Sequence, residues 1–200
     1  QSSGISMRLL IFELLSNPAD SIGGGGKGTA AHVQFGTAWQ GFRIQHGFTD
    51  KWGWIIEAQS VSWERWQPSI GLSAIWYEGP MRITGSILGG WLTQTGPFPW
   101  NGPSAEARIQ LSKPYGRLRP WLLLGTKHSM GYLRTEIQTQ DELLVEDTFQ
   151  TEWTMTGSFG LAIGVHKGWE LNLGLDMPWV NYPNITIPGA HVAIAYRGAP

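Results

Sequence analysis

Cysteine is absent from this 200-residue chain, which excludes disulfides, thiolate metal sites and thiol nucleophiles. Charge is also scarce, with Asp, Glu, Lys and Arg making up 14% of the residues against roughly 25% in an ordinary soluble domain. The charges nearly cancel to -1, so no basic surface for nucleic acid is expected. Long apolar runs are missing as well. Residues 9–12, with Leu14 and Leu15 beyond Glu13, form the longest, far short of the ~20 residues a spanning helix needs. The chain opens on the polar Gln1-Ser2-Ser3 with no visible secretory leader, an absence that is neutral because a leader is removed at maturation.

Tryptophan and glycine are abundant, at 12 and 27 copies, while mean hydropathy is only -0.15. From residue 30 onward the dominant pattern is alternation with period two, the signature of strands. In residues 169–179, Trp169, Leu171, Leu173, Leu175, Met177 and Trp179 share one face; Glu170, Asn172, Gly174, Asp176 and Pro178 share the other. At ~3.3 Å per residue and a tilt of ~45°, the two tryptophans stand about 24 Å apart along the barrel normal, the height of an outer-membrane apolar band. The same alternation runs through residues 81–91, 105–112 and 152–166, and again through Ile70, Leu72, Ala74 and Trp76. Backbone groups in lipid must all be paired, so strands of this kind cross a membrane only as a closed barrel.

Connections alternate in length. Residues 49–51, 78–80, 113–116 and 166–168 read as tight turns; residues 63–68, 96–103, 134–151 and 181–186 read as longer polar loops. Phe48, Trp52, Trp54, Trp76, Tyr77, Tyr115, Trp169 and Tyr196 lie near the tight turns. Trp63, Trp66, Trp91, Phe98, Trp100, Tyr132, Trp153, Trp179 and Tyr182 lie near the long loops. Two aromatic girdles are expected, with Trp52, Trp54, Trp76, Trp91, Trp153, Trp169, Trp179 and Tyr196 as their members. A soluble barrel also alternates, but its outer polar face carries many long charges; here that face is mostly Gly, Ser, Thr, Ala and Asn, which suits a crowded lumen.

Nine strands are directly legible, at residues 31–48, 52–63, 69–78, 81–94, 104–113, 117–132, 152–166, 169–180 and 187–197. Bacterial barrels usually have an even number, and two repairs give ten. Residues 5–15 form a first strand followed by a Gly-rich external loop, the slightly preferred reading. Alternatively, residues 31–48 hold two strands, because apolar parity slips around Trp39-Gln40-Gly41, and residues 1–29 form a plug. Either way the reading is an all-β, antiparallel up-and-down transmembrane barrel, one domain over residues 1–200, with periplasmic termini.

Glu57, Arg82, Glu106, Arg108, Arg119, Lys127, Glu170 and Asp176 are the expected lumen charges, and their mixed signs point to internal ion pairs. His32 and His191 fall on the polar face and are expected near the external rim. A first strand at residues 5–15 would bring Glu13 between them, a cluster fit for proton transfer or metal binding, with ordinary hydrogen-bonded lumen residues as the plainer reading. Barrel lipid A deacylases use a strand-borne His and Ser one residue apart. In Lys127-His128-Ser129 the two are adjacent and face opposite sides, so no catalytic residues are assigned, and no metal or cofactor is expected.

Pro114-Tyr115-Gly116-Arg117-Leu118-Arg119-Pro120-Trp121, running into Leu122-Leu123-Leu124-Gly125, resembles a strand opening common in small outer-membrane barrels. Gly47-Phe48-Thr49-Asp50-Lys51-Trp52 resembles their tight periplasmic turns. Residues 14–26, with Thr29 and Ala30, are loosely similar to the N-terminal segment of fatty-acid-transporter-like barrels, which include accessory barrels of the Bacteroidota secretion system. The resemblance implies a bacterial outer-membrane location among lipid and lipopolysaccharide. Tyr196 is followed by Arg197-Gly198-Ala199-Pro200 in place of a final aromatic, a departure from the usual assembly signal. The leading functional expectation is a non-enzymatic barrel that binds another envelope protein or a surface ligand through its loops or wall. The acidic segment 134–151, with Leu143, Leu144, Val145 and Phe149, is the candidate partner loop. A small pore or hydrophobic-ligand conduit, and a lipid-modifying enzyme, are the alternatives.

Overall fold

Period-two alternation sends successive side chains to opposite faces of a strand, and in this chain ten such strands pair side by side until the sheet closes. They are β1 (Gly28–Gly36), β2 (Gln40–Gly47), β3 (Trp52–Val61), β4 (Arg65–Glu78), β5 (Arg82–Gln94), β6 (Trp100–Ser112), β7 (Leu118–Gln138), β8 (Leu143–His166), β9 (Trp169–Val180) and β10 (Gly189–Arg197). The structure is a computed structural model that describes residues 28–37, 40–61, 65–95, 99–138, 143–166, 168–180 and 189–197. Each strand runs antiparallel to its neighbours in chain order, and β1 meets β10 directly, from Ala30↔Arg197 to Gly36↔His191. Closure leaves no unpaired edge around the wall, the condition for backbone in lipid.

That closure corrects one expectation. No strand from residues 5–15 stands between β10 and β1, because those two strands share a continuous ladder. The tenth strand comes from residues 31–48, which reverse between Gly36 and Gln40. The parity slip at Gln40-Gly41 is therefore a hairpin, after which Phe42 and Ile44 face outward as Val33 and Phe35 do in β1. Residues 1–27, including Glu13 and the segment similar to fatty-acid-transporter-like barrels, lie outside the described residues.

The turns follow from local chemistry. Tyr115 and Leu118 exchange backbone hydrogen bonds at 2.7 and 3.0 Å, and Gly116 between them has φ +62°, a conformation that β-carbons disfavour. Between β2 and β3, Thr49 Oγ1 accepts from the Trp52 N–H at 2.9 Å. With ten strands, the described chain starts and ends at the tight-turn end.

Side-chain partition is inverted relative to a soluble protein. Phe35, Ile70, Ile87, Leu124, Leu173 and Ile194 stand exposed on the outer wall, while Gln34, Arg43, Glu57, Gln110, Asn172 and Asp176 are buried inside. Water as the outer solvent would reverse that sorting, since apolar surface drives inward and charge outward. Hydrocarbon outside and a packed polar lumen satisfy it.

Candidate functional site

Four charged side chains fill the middle of the lumen. Arg43 and Glu57 are register partners on β2 and β3, and the Arg43 guanidinium donates to Glu57 Oε2 at 2.8 Å. Arg108 reaches across from β6 and donates to Glu57 Oε2 at 2.7 Å while also binding Glu106 on its own strand. Gln59 Nε2 completes the Glu57 carboxylate at 2.9 Å. Two cations thus face two anions with almost no solvent; Glu57 is 1% exposed. Toward the long-strand end, Arg65 pairs with Glu152 at 2.6 Å and Lys127 donates to Gln67 at 2.7 Å. Toward the tight turns, Arg119 pairs with Glu170. Arg65–Glu152 and Lys127–Gln67 join strands four and three positions apart in the ring and so cross the lumen, whereas Arg119–Glu170 spans only β8 between β7 and β9. Ile55, Leu88, Leu92 and Trp100 also point inward and are buried. Trp100, grouped by sequence with the aromatics near the long loops, is turned into the lumen by its register with Gln94 and Leu133.

His191 lies beside Gly36 and Gly174 near the far end of the short strands, whereas His32 lies opposite Ala195, nearer the tight turns. Both are buried and lumen-facing, but only His191 stands toward the expected rim. Among the described residues no three His, Asp or Glu side chains gather as metal ligands. His191 Nδ1 and Ser158 Oγ each bond one oxygen of Asp176, both at 2.7 Å. These are the residue types of a hydrolase triad, but the carboxylate sits between serine and imidazole. The imidazole therefore has no hydrogen bond to the hydroxyl it would have to activate. The arrangement anchors β8, β9 and β10 to one another.

Trp121 stacks on His191, ring centroids 5.8 Å apart, and lies along the wall over Gly160 and Gly174. A β-carbon at Gly160 would run into the Leu173 carbonyl and stand 2.7 Å from the Trp121 ring, and one at Gly174 would run into the His191 ring and stand 3.0 Å from Trp121. Both glycines are required by this close approach. Gly160→Val should displace the indole and destabilise the barrel by about 1–3 kcal/mol, read as a lower urea midpoint together with altered tryptophan fluorescence. Asn172 and Gln110 turn amide atoms without a protein partner into the lumen, chemistry suited to bound water.

On the outer wall, Trp52, Trp76, Trp91 and Trp153 are exposed, and Trp54, Trp169 and Tyr196 are partly so; the Trp179 side chain lies outside those described. Trp169 packs against Tyr196 at 5.1 Å. His128 faces outward and stacks on Trp153 at 4.4 Å, while Ser129 is buried on the lumen side. The sequence reading missed a hydrogen bond of 2.9 Å between Thr29 Oγ1 and His46 Nδ1 on adjacent strands, beside Trp54.

Segment 134–151 departs furthest from expectation. It is no loop. β7 and β8 keep pairing without a bulge up to Gln138↔Leu143, well past the last partners of β6 and β9 at Leu133 and Thr154. A two-stranded ribbon projects from the barrel, with Tyr132 against Phe149 at 5.5 Å and Val145 exposed beyond them. Leu143 and Leu144 lie in β8, but their side chains are outside those described. The alternation Val145, Asp147, Phe149, Thr151, Trp153 continues the strand pattern and was the signal available for this extension.

No family model matches the chain, and no curated protein matches it; the N-terminal resemblance to fatty-acid-transporter-like barrels gains no support from them. Among solved structures it is similar to the N-terminal β-barrel domain of Pseudomonas aeruginosa OprF, at 13% identity over 86% of this chain and 99% of that one, TM-score 0.38. It is also similar to Ail, the attachment invasion locus protein of Yersinia pestis, at 8% identity over 86% of this chain and 100% of that one, TM-score 0.43. At these identities the likeness concerns the fold. By its own closure and inverted polarity, the chain is an outer-membrane β-barrel of ten strands.

Proposed function

We propose that this chain is a non-enzymatic, non-conducting barrel of the bacterial outer membrane that presents the β7–β8 ribbon to another envelope protein. The projecting ribbon carries this reading. From Val165 to Met155 the outward face of β8 climbs ~33 Å along the strand, which at a ~45° tilt spans roughly the apolar band. Residues 143–151 then stand beyond the membrane, where an exposed Tyr132–Phe149 pair has no lipid to cover it. Trp52, Trp54, Trp76, Trp169 and Tyr196 form the girdle at the tight-turn interface; Trp91 and Trp153 form the other, against lipid and lipopolysaccharide. With the tight turns and termini periplasmic, the ribbon faces outward from the cell.

A single cysteine at Phe149 is unique in this cysteine-free chain and should yield one defined heterologous cross-link in cells. Deleting residues 134–151 should abolish that adduct from a cysteine placed at Tyr132. Recovery of monomer alone from both would sink the partner reading. Reconstituted in planar bilayers, the barrel should show no steady single-channel current, because the Glu57–Arg108, Lys127–Gln67 and Arg65–Glu152 contacts cross the bore. A reproducible open level would favour the conduit alternative.

A further inference from the structure

The two edges of the ribbon are not equivalent. β6 accompanies β7 as far as Trp100↔Leu133, and the Arg134 N–H donates to the Pro99 carbonyl at 3.2 Å. β9 leaves β8 at Thr154↔Val180, so among the described residues nothing pairs with that edge of β8 from Leu143 to Trp153. In an antiparallel ladder a residue turns its N–H and C=O to the same side, and the side alternates along the strand. Arg134 directs its N–H toward β6, so its register partner Asp147 turns both backbone groups away from β7. The far end of β8 gives the same phase: the Gly164 N–H donates to the Arg117 carbonyl at 2.7 Å, and the intervening register has no bulge. Val145, Asp147, Phe149 and Thr151 therefore line the open edge with backbone donors and acceptors. Glu146, Thr148 and Gln150 hold the ribbon to β7.

This edge has a definite charge. Among the described residues of β8 from Val145 to Trp153, Glu146, Asp147 and Glu152 are carboxylates and none is Lys or Arg. A second copy pairing antiparallel about Asp147 would set that carboxylate opposite itself, and like charges opposite one another destabilise a ladder, whereas a Lys or Arg there is attracted. A two-stranded ribbon alone in water is marginal, and a third strand relieves that. We infer that the open edge of β8 accepts an extended, Lys- or Arg-bearing segment of a partner protein as a third strand, by β-augmentation. The inference rests on the partner reading above and assigns its mode and charge.

The test uses the full chain in nanodiscs and fluorescent nine-residue peptides alternating Lys with Val. The Lys peptide should bind at least tenfold more tightly than the same peptide N-methylated at alternate residues, and tenfold more tightly than its Glu counterpart. Thr151→Pro removes one edge N–H and leaves the β7 ladder intact, so it should weaken the Lys peptide at least tenfold. Asp147→Asn should weaken it severalfold, less in high salt. Equal binding of the N-methylated or Glu peptide, or no binding by any of the three, overturns strand addition. In that event the Phe149 cross-link separates the two ideas: its persistence in cells leaves the partner reading standing, and its loss removes that too.

Discussion

Glu57→Ala should lower the stability of the folded barrel by about 3–5 kcal/mol, the cost of leaving buried charges without their partner. Arg43 and Arg108 both direct guanidinium groups at this one carboxylate. With the carboxylate gone, Arg43 and Arg108 both lose the buried anion they share. Glu57→Gln keeps the shape and one acceptor oxygen, so its loss should be smaller than that of the alanine variant. The measurement is reversible urea unfolding of the lipid-embedded protein, with the wild type as reference. A shift below about 1 kcal/mol for Glu57→Ala, in the range of exposed ion pairs, would mean that the lumen is hydrated enough to screen the cluster.

Ile87→Arg should cost about 2–4 kcal/mol, the penalty for arginine on the lipid face near the bilayer midplane. Ile87 is 71% exposed on the outer wall, between Leu72 of β4 and Ala107 of β6. On a soluble barrel the same change at so exposed a position would alter stability by no more than roughly 0.5 kcal/mol. The experiment therefore separates the two solvents directly, and a near-zero effect in a lipid bilayer would defeat the membrane reading. Arginine at Trp91, an interface position, should cost only ~0–1 kcal/mol for its charge, which supplies a depth control within the same strand.

Much of the wall was legible because its rule is local. Alternation in residues 81–91, 152–165 and 169–177 places each side chain on one face or the other, and the structure keeps those faces: Leu173 outside, Asn172 inside. Turn chemistry at Tyr115-Gly116 and Thr49-Asp50-Lys51 likewise needs only neighbouring residues. Expectation failed where two local patterns competed. A parity slip in residues 31–48 fits either one bent strand or a short hairpin, and only the pairing of β1 with β10 distinguishes them. Polar, acidic composition in residues 134–151 reads as loop, yet the same residues alternate, and cross-strand pairing across an undistorted ladder prevailed.

The site was less legible than the wall. Glu57 and Arg108 could be named as lumen charges from parity alone, but their contact joins residues 51 apart in sequence, and separation of that kind depends on which strands face each other across the bore. Arg43 was passed over because it lies in the segment whose parity slipped. Trp100 was grouped with the aromatics near the long loops for a different reason: tryptophan suits an interface girdle and a packed lumen equally, and only register turns it inward.

By itself the amino-acid sequence determined a closed transmembrane barrel and the face taken by each alternating residue within a strand, because period-two geometry and the solvent outside act residue by residue. The tertiary structure alone decided which strands close the ring, how ion pairs cross the lumen, and that β7 and β8 outrun their neighbours. Those features depend on register between distant segments, and register is set by the whole ring of pairings at once.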